Sequence, residues 1–282
     1  MSLELCVLAS GSMGNASVLR TPAGPMLIDL GIGPRTTARR LVGAGVNVAG
    51  IRAACLTHLD RDHFSPTWVT TLLKYRIPIH CHVDRVHDLI RLAADPQIEE
   101  LIYTFDEDSF EPLHGLRATP LHLAHDDSGS HGFVFDGFGH RIGYATDLGR
   151  VPPQLLEEFC DLDVLALESN YDPRMQVDSD RPWFLKRRIM GGRGHLSNAQ
   201  ALAAIREILN HCQKNARPLP RHIVLLHRSQ QCNCPQLLRR LFSHDARIAP
   251  RLVLAEQHTR TSWLSASDAH ATAGEQLMLA WG

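Results

Sequence analysis

Short apolar runs along the chain repeatedly stop at residues that carry chemistry. Ile51 to Leu56 reads as a buried strand, and His222-Ile223-Val224-Leu225-Leu226-His227 is a second continuous run that ends in histidine. Leu121-His122-Leu123-Ala124-His125 closes an alternating stretch, and Arg141-Ile142-Gly143-Tyr144-Ala145-Thr146-Asp147 follows a hairpin. The full pattern predicts strands near 3–9, 16–20, 26–30, 51–57, 78–83, 101–105, 116–124, 132–136, 141–146, 163–168, 222–227 and 251–256. Helices are predicted near 35–44, 66–75, 85–94, 153–159, 182–190, 198–211 and 235–243. Strands in two runs with helices between them suit an α/β chain folded as a four-layer αββα sandwich, with a site at one edge between the sheets. The tail from Ser265 is Ala-rich, and Gln276 to Trp281 has the pattern of an added edge strand.

Directly after the strand at 51–57 comes Thr57-His58-Leu59-Asp60-Arg61-Asp62-His63, which packs His58, Asp60, Asp62 and His63 into six positions. A solvated turn would explain them individually. A hydrolase with two metal ions explains them together, because strand ends converge on one spot and the remaining ligands then come from other strand ends. His125, Asp147 and His227 close apolar runs in the expected places. On this reading His58, Asp60 and His125 hold one metal, Asp62, His63 and His227 the other, and Asp147 bridges them.

This order of residues resembles the metallo-β-lactamase superfamily, whose signature is His-x-His-x-Asp-His followed by a later His, an Asp and a final His. The resemblance covers nearly the whole chain and narrows to the YycJ/WalJ-like branch. The narrowing rests on Leu8-Ala9-Ser10-Gly11-Ser12-Met13-Gly14-Asn15, Leu27-Ile28-Asp29-Leu30-Gly31, Leu167-Glu168-Ser169-Asn170, Gly194-His195-Leu196-Ser197-Asn198 and His227-Arg228-Ser229. It implies a cytoplasmic, metal-dependent phosphodiesterase with the activity of a 5′-to-3′ DNA exonuclease, acting through a hydroxide held between two divalent metal ions. Asp62 is then a catalytic residue as well as a ligand.

The chain departs from the signature at Asp60, where the family has a second motif histidine. A carboxylate is a harder ligand than imidazole, so the site shifts from zinc toward manganese or another oxygen-tolerant metal, iron included. A partly empty first site is the other consequence open to the sequence.

A leaving alkoxide needs a proton. Phosphodiesterase relatives use a Glu that orients a His in a His-x-Ser/Thr-x-x-x-Ala motif, and the matching stretch here is His195-Leu196-Ser197-Asn198-Ala199-Gln200-Ala201, with Glu168 as the carboxylate. A carboxylate partner favours the protonated ring, which makes His195 a general acid. The plain alternative is that His195 and Ser197 cap the helix from Asn198, where Ser is a favoured N-cap.

Net charge does not select a substrate, since 29 Lys and Arg nearly balance 30 Asp and Glu. Local charge does more. Arg181, Lys186, Arg187, Arg188 and Arg193 lie in one acid-free stretch leading to His195, which suits a polyanion. The bland reading is a solvated helix face with Trp183 and Leu185 tucked inward. Ser12, Asn15, Arg193 and Ser197 are the expected substrate contacts, with the turn Ser10–Asn15 offering backbone donors to a phosphate. Asp29 is expected to orient a ligating histidine or the loop, and His122 and one of His80 and His82 to approach the site from behind.

Seven scattered cysteines form no disulfide framework and fit a reducing cytoplasm, while Cys232-Asn233-Cys234 is a weak signal for a soft metal. No secretory signal or membrane-length apolar run is evident, so no membrane partner is expected. One domain over 1–282 is the simplest division, and homo-oligomerisation is left open. Two other readings stand beside the nuclease: a hydrolase of a small phosphodiester, cyclic phosphate or thioester on the same fold, and a non-catalytic nucleic-acid-binding protein whose first metal site has degenerated at Asp60.

Overall fold

A computed structural model of the chain describes residues 3–267. Fourteen strands form two seven-stranded sheets. The first sheet contains β1 (Glu4–Ala9), β2 (Ala16–Thr21), β3 (Gly24–Ile28), β4 (Ala53–Cys55), β5 (Ile79–His82) and β6 (Ile102–Phe105) in sequence order, and β14 (Leu264–Ser265) pairs outside β1. The second sheet runs from β7 (Phe110–Leu113) through β8 (Leu116–Leu123), β9 (Ser130–Gly137), β10 (His140–Ala145), β11 (Val164–Glu168) and β12 (His222–Leu226) to β13 (Leu252–Leu254). Both sheets are mixed: β1, β2 and β3 pair antiparallel while β3 to β6 run parallel, and β7 to β10 pair antiparallel while β10 to β13 run parallel.

Strict alternation of side chains places each strand's residues in two different interfaces. Val164, Ala166, Val224 and Leu226 pack between the sheets with Leu5, Met26, Ile28 and Phe133. Their neighbours Leu165, Leu167, Ile223 and Leu225 face outward against α4 (Pro153–Glu158), α7 (Asn198–Lys214) and α8 (Pro235–Phe242). The other outer face, carrying Leu8, Val18, Leu27 and Ile79, packs on α2 (Val69–Tyr75) and α3 (Val86–Ala93), with α1 (Pro34–Arg40) leading into its Leu41. Burial on both faces is why these strands read as continuous apolar runs. Three apolar interfaces between four layers give the αββα sandwich that the pattern predicts.

Two helices complete the chain at the site edge: α5 (Pro173–Asp178), which the sequence reading leaves as loop, and α6 (Trp183–Met190). Leu185 and Met190 pack with Ile189, Tyr171 and Cys232, but Trp183 stands 63% exposed. That corrects its expected inward placement: eight residues give barely two turns, and Ile189 with the half-buried Leu185 and Met190 fills the inward stripe. The edge strand expected at Gln276 to Trp281 lies outside the described residues. Among the described residues no helix is long and apolar enough to cross a membrane.

Candidate metal centre

The loop after β4 delivers its side chains inward because its backbone is pinned on both sides. Asn15 N–H donates to Asp62 O at 2.7 Å, Leu30 N–H to His63 O at 2.7 Å, and Phe64 N–H to Asp60 O at 2.9 Å. Gly31 permits the approach: a Cβ there would meet Asp62 O at 1.7 Å. Asp29, Asp147 and His227, at or just beyond the ends of β3, β10 and β12, all take left-handed backbone with φ of 61°, 55° and 48°. Such conformations cost about 1–3 kcal/mol for a residue with a Cβ, and here they turn carboxylates and an imidazole into the gap between the sheets.

The donors gather into overlapping groups. His58, Asp60 and His125 form one, with Asp60 Oδ2 3.9 Å from His58 Nε2 and 3.8 Å from His125 Nε2. Asp62, His63 and His227 form another, with Asp62 Oδ2 3.7 Å from His63 Nε2 and 3.3 Å from His227 Nε2. Asp147 reaches both, lying 3.0 Å from His63 Nε2 through Oδ2 and, through Oδ1, 3.2 Å from His227 Nδ1 and 4.0 Å from His125 Nε2. All seven residues expected as ligands therefore converge.

Fixed partners on the far ring nitrogens aim these imidazoles. His63 Nδ1 meets Asp29 Oδ2 at 2.8 Å, and Asp29 Oδ1 accepts from Thr57 N–H at 2.8 Å and from Thr57 Oγ1 at 2.9 Å. His125 Nδ1 donates to Gly194 O at 2.9 Å. Since a carbonyl or carboxylate oxygen only accepts, each ring carries its hydrogen on Nδ1 and presents Nε2 to the group. Asp29 thus takes the orienting role expected of it.

Charge in the cluster is strongly perturbed. Burial and the neighbouring His63 push His58 down to about 3. Burial works against the charged form of His227 as well, but Asp147, Asp62 and Glu168 override it and push the ring up to about 10. The same contest lifts His125 to about 9, through Asp60 and Asp147. Asp147 is held well below the usual carboxylate range, its burial outweighed by His227 and His63. A cluster of carboxylates that draws protons onto buried imidazoles is an environment that seeks positive charge.

A divalent cation fits these residues on a separate observation. His58 Nε2 is buried and has no hydrogen-bond partner, although it sits in the same donor group as Asp60 and His125. An orphaned buried nitrogen is costly unless something coordinates it.

Glu168 occupies the centre of a second network. Its Oε1 lies 2.7 Å from His195 Nδ1 and 3.0 Å from His227 Nδ1, while Oε2 accepts from Leu148 N–H at 3.0 Å and Leu196 N–H at 3.1 Å. His195 and Glu168 join Asp147 and His227 within one donor group. The loop before α7 reaches this position because Gly194 packs bare backbone on α6, where a Cβ would meet Arg188 O at 2.3 Å.

These groups open into a pocket of about 280 Å³ whose wall includes Asp62, Asp147, His195, His227, Arg181 and Arg188. Ser12 is also on the wall. Asn15 is not: it is 1% exposed, and its amide donates to Asp62 O and Oδ2 at 3.3 and 3.2 Å. It therefore reaches the chemistry by holding Asp62. Ser197 caps α7 in a reciprocal box with Gln200 and lies off the pocket wall, as does Arg193, whose guanidinium is outside, 3.6 Å from Asp127. His122 is exposed and turns toward His131 rather than the donors. His82 stacks on His131, and His80 packs against Phe110 and Tyr103, so neither joins the cluster. The Cys232-Asn233-Cys234 turn serves structure: Asn233 donates to Ser169 O and Asn170 O while Cys232 is buried.

Sequence reading gives no role to Asn170, whose amide donates to His227 O at 2.7 Å, or to Ser10, whose hydroxyl accepts from His227 N–H at 2.7 Å. Asp126 is missed as well; it pairs with Arg188 across the pocket, and its position directly after His125 was the available signal.

Residues 26–223 match the family described as a beta-lactamase superfamily domain, and the chain belongs to that family. It is 25% identical over 240 residues to the exodeoxyribonuclease YycJ of Bacillus anthracis, covering 85% of this chain and 87% of the relative. It is 24% identical over 239 residues to the exodeoxyribonuclease WalJ of Streptococcus pneumoniae, covering 84% and 86%. Among solved structures, the metallo-beta-lactamase fold protein YhfI from Bacillus subtilis superposes with a TM-score of 0.65 at 13% identity, covering 93% of this chain and 99% of that one. The fold is thus the metallo-β-lactamase sandwich, a class of hydrolytic enzymes that implies divalent metal, and the His and Asp groups supply the donors.

Proposed function

We propose that this protein is a metal-dependent phosphodiesterase that shortens DNA from its 5′ end. The observation that carries the reading is one pocket lined by Asp60, Asp62, His125, Asp147 and His227 of the donor groups, by His195 with Glu168 buried behind it, and by the guanidiniums of Arg181 and Arg188. A phosphodiester needs all three: charge neutralisation, a proton for the leaving oxygen, and anchoring of the flanking phosphates. The names of the YycJ and WalJ relatives support DNA as the polymer. Space supports a polymer over a small ester. At Ser12 and Asp62 the pocket meets a second groove of about 920 Å³, lined by Met13, Arg61 and Leu92, so chain can continue past the site.

In this reading His58, Asp60 and His125 would hold one cation and Asp62, His63 and His227 a second, with Asp147 within reach of both sets. Bound divalent ions supply Lewis acidity at the phosphoryl oxygens and make water nucleophilic near neutral pH, and the carboxylate at Asp60 makes manganese a better occupant than zinc. Arg181, held by neutral groups, binds the non-reacting phosphate oxygens, Arg188 stands beside it paired with Asp126, and Leu185 and Ile189 keep bulk water from that wall. Asp62, a quarter exposed at the pocket, accepts a hydrogen bond from the attacking water. Glu168 fixes the hydrogen of His195 on Nδ1 side, so Nε2 is the nitrogen that passes a proton to the leaving alkoxide.

The test is hydrolysis of 5′-phosphorylated, end-labelled duplex DNA with added manganese, beside an Asp147→Ala control. Stepwise loss of 5′ nucleotides by the unaltered protein alone supports the reading. Intact DNA with metal bound sinks it and turns attention to RNA or small diesters.

A further inference from the structure

The helix α6 has two faces with different exposures. Leu185, Ile189 and Met190 anchor it, and Leu185, Arg188 and Ile189 also line the metal-centre pocket. Spaced along the next stripe, Phe184, Arg187, Arg188 and Gly191 line a separate open groove of about 590 Å³. Phe184 is 74% exposed and Trp183, beside it, 63%. Neither belongs to any of the apolar clusters among the described residues. Arg188 lines both cavities, so the groove begins where the pocket ends.

Two exposed aromatic rings, Phe184 on the groove and Trp183 next to it in the chain, would be a solubility liability without a ligand. Their surroundings say which ligand. Residues 181–193 contain no acid, and Arg187 has no acidic partner among the described residues. Lys186 Nζ donates to Val177 O, and Arg181 donates to Gln231, Gln176 and Ser229, so these two cations are held in place by neutral groups and keep their charge. Flat apolar rings between unneutralised cations match unpaired bases between phosphates, since a base stacks through its π-face whatever its identity and the backbone tracks the positive groove. A second copy of this chain is the other candidate occupant, but a two-fold interface sets a patch against itself and would bring two such cationic helices face to face.

We infer that α6 is a stacking platform for a single-stranded segment of polynucleotide, with Trp183 and Phe184 under the bases and Arg187 along the backbone, adjoining the scissile site. This rests on the nucleic-acid reading above and adds to it that the strand is gripped unpaired. Arg188, whose guanidinium is tied to Asp126, marks the passage from platform to pocket.

The test measures fluorescence anisotropy of a labelled, phosphorothioate-linked oligothymidylate of about twelve nucleotides, a length within one to three binding footprints. The unaltered protein is compared with Trp183→Ala/Phe184→Ala and, separately, with Arg187→Glu. Hydrolysis of bis(p-nitrophenyl) phosphate and the thermal midpoint report on the site and the fold. Expected are a loss of affinity of roughly ten-fold or more in the double variant, a weaker loss in Arg187→Glu, and a thermal midpoint and small-diester turnover that stay put. Equal affinity in all three proteins overturns the platform and leaves the nuclease reading standing. So does a drop from dimer to monomer in light scattering of the double variant, which would make the rings a self-association surface. If the unaltered protein binds neither the oligothymidylate nor a duplex while cleaving the small diester, the nucleic-acid reading falls and the platform with it.

Discussion

Glu168 Oε1 lies 2.7 Å from His195 Nδ1, and the carboxylate is fully buried with its other oxygen held by two backbone N–H groups. A side chain so constrained cannot follow a mobile ring, so the ring is held to it. The pair therefore separates proton transfer from metal binding in a way that mutation can resolve. His195→Gln is expected to lower kcat about a hundred- to ten-thousand-fold with metal content unchanged. Asp147→Ala, which removes the carboxylate that reaches members of both donor groups, is expected to abolish turnover by losing metal. Elemental analysis of both purified variants checks this; equal metal loss in the two would end the assignment of His195 as the acid.

Asp29 touches no pocket surface, yet it carries His63 through a 2.8 Å contact and Thr57 through three more. Asp29→Asn keeps the volume and removes the charge that fixes His63 Nδ1–H. The metal dissociation constant is expected to rise about 10- to 100-fold, the usual effect of losing an orienting partner, with the fold intact. Chelator competition followed by circular dichroism measures both. An unaltered dissociation constant would show that Thr57 suffices to aim the ring.

Much of this was legible beforehand because the apolar runs end where the chemistry starts. A strand buried on both faces has no other place to put Asp147 or His227 than its open end, so order along the chain translates directly into convergence in space. Small polar residues gave no such signal. Asn15 and Ser197 could face either a substrate or a backbone group, and only tertiary closure assigns Asn15 to Asp62 and Ser197 to the start of α7. The strand β7 was unreadable because it has only four residues, one of them Pro112, and β14 is too short to show a period. Exposure of Trp183 was hidden for the same reason of length.

Asp60 is half exposed, unlike the buried His58 and His125 that share its group. A carboxylate reachable by water gives that position a hard, anionic donor, so Asp60→His is expected to shift preference from manganese toward zinc. Competition titrations of the two ions against the unaltered and substituted proteins test the direction. The same selectivity in both would mean that Asp60 does not coordinate.

His80 makes the protein sensitive to acid at a point away from the metal centre. Its ring packs between Phe110 and Tyr103, and burial lowers it to about 4 from an ordinary 6.5. Between those values the unfolded chain holds a proton that the folded chain refuses, so stability is full above about pH 6.5 and declines as pH falls toward 4. His131, lowered to about 3 by burial beside His82, acts in the same direction. For His80 alone the loss between pH 7 and pH 5 is about 2 kcal/mol. His80→Phe keeps the stacked contacts and removes the proton site, so its urea midpoint should change less over that interval than that of the unaltered protein. Parallel losses in the two proteins would place the acid sensitivity elsewhere.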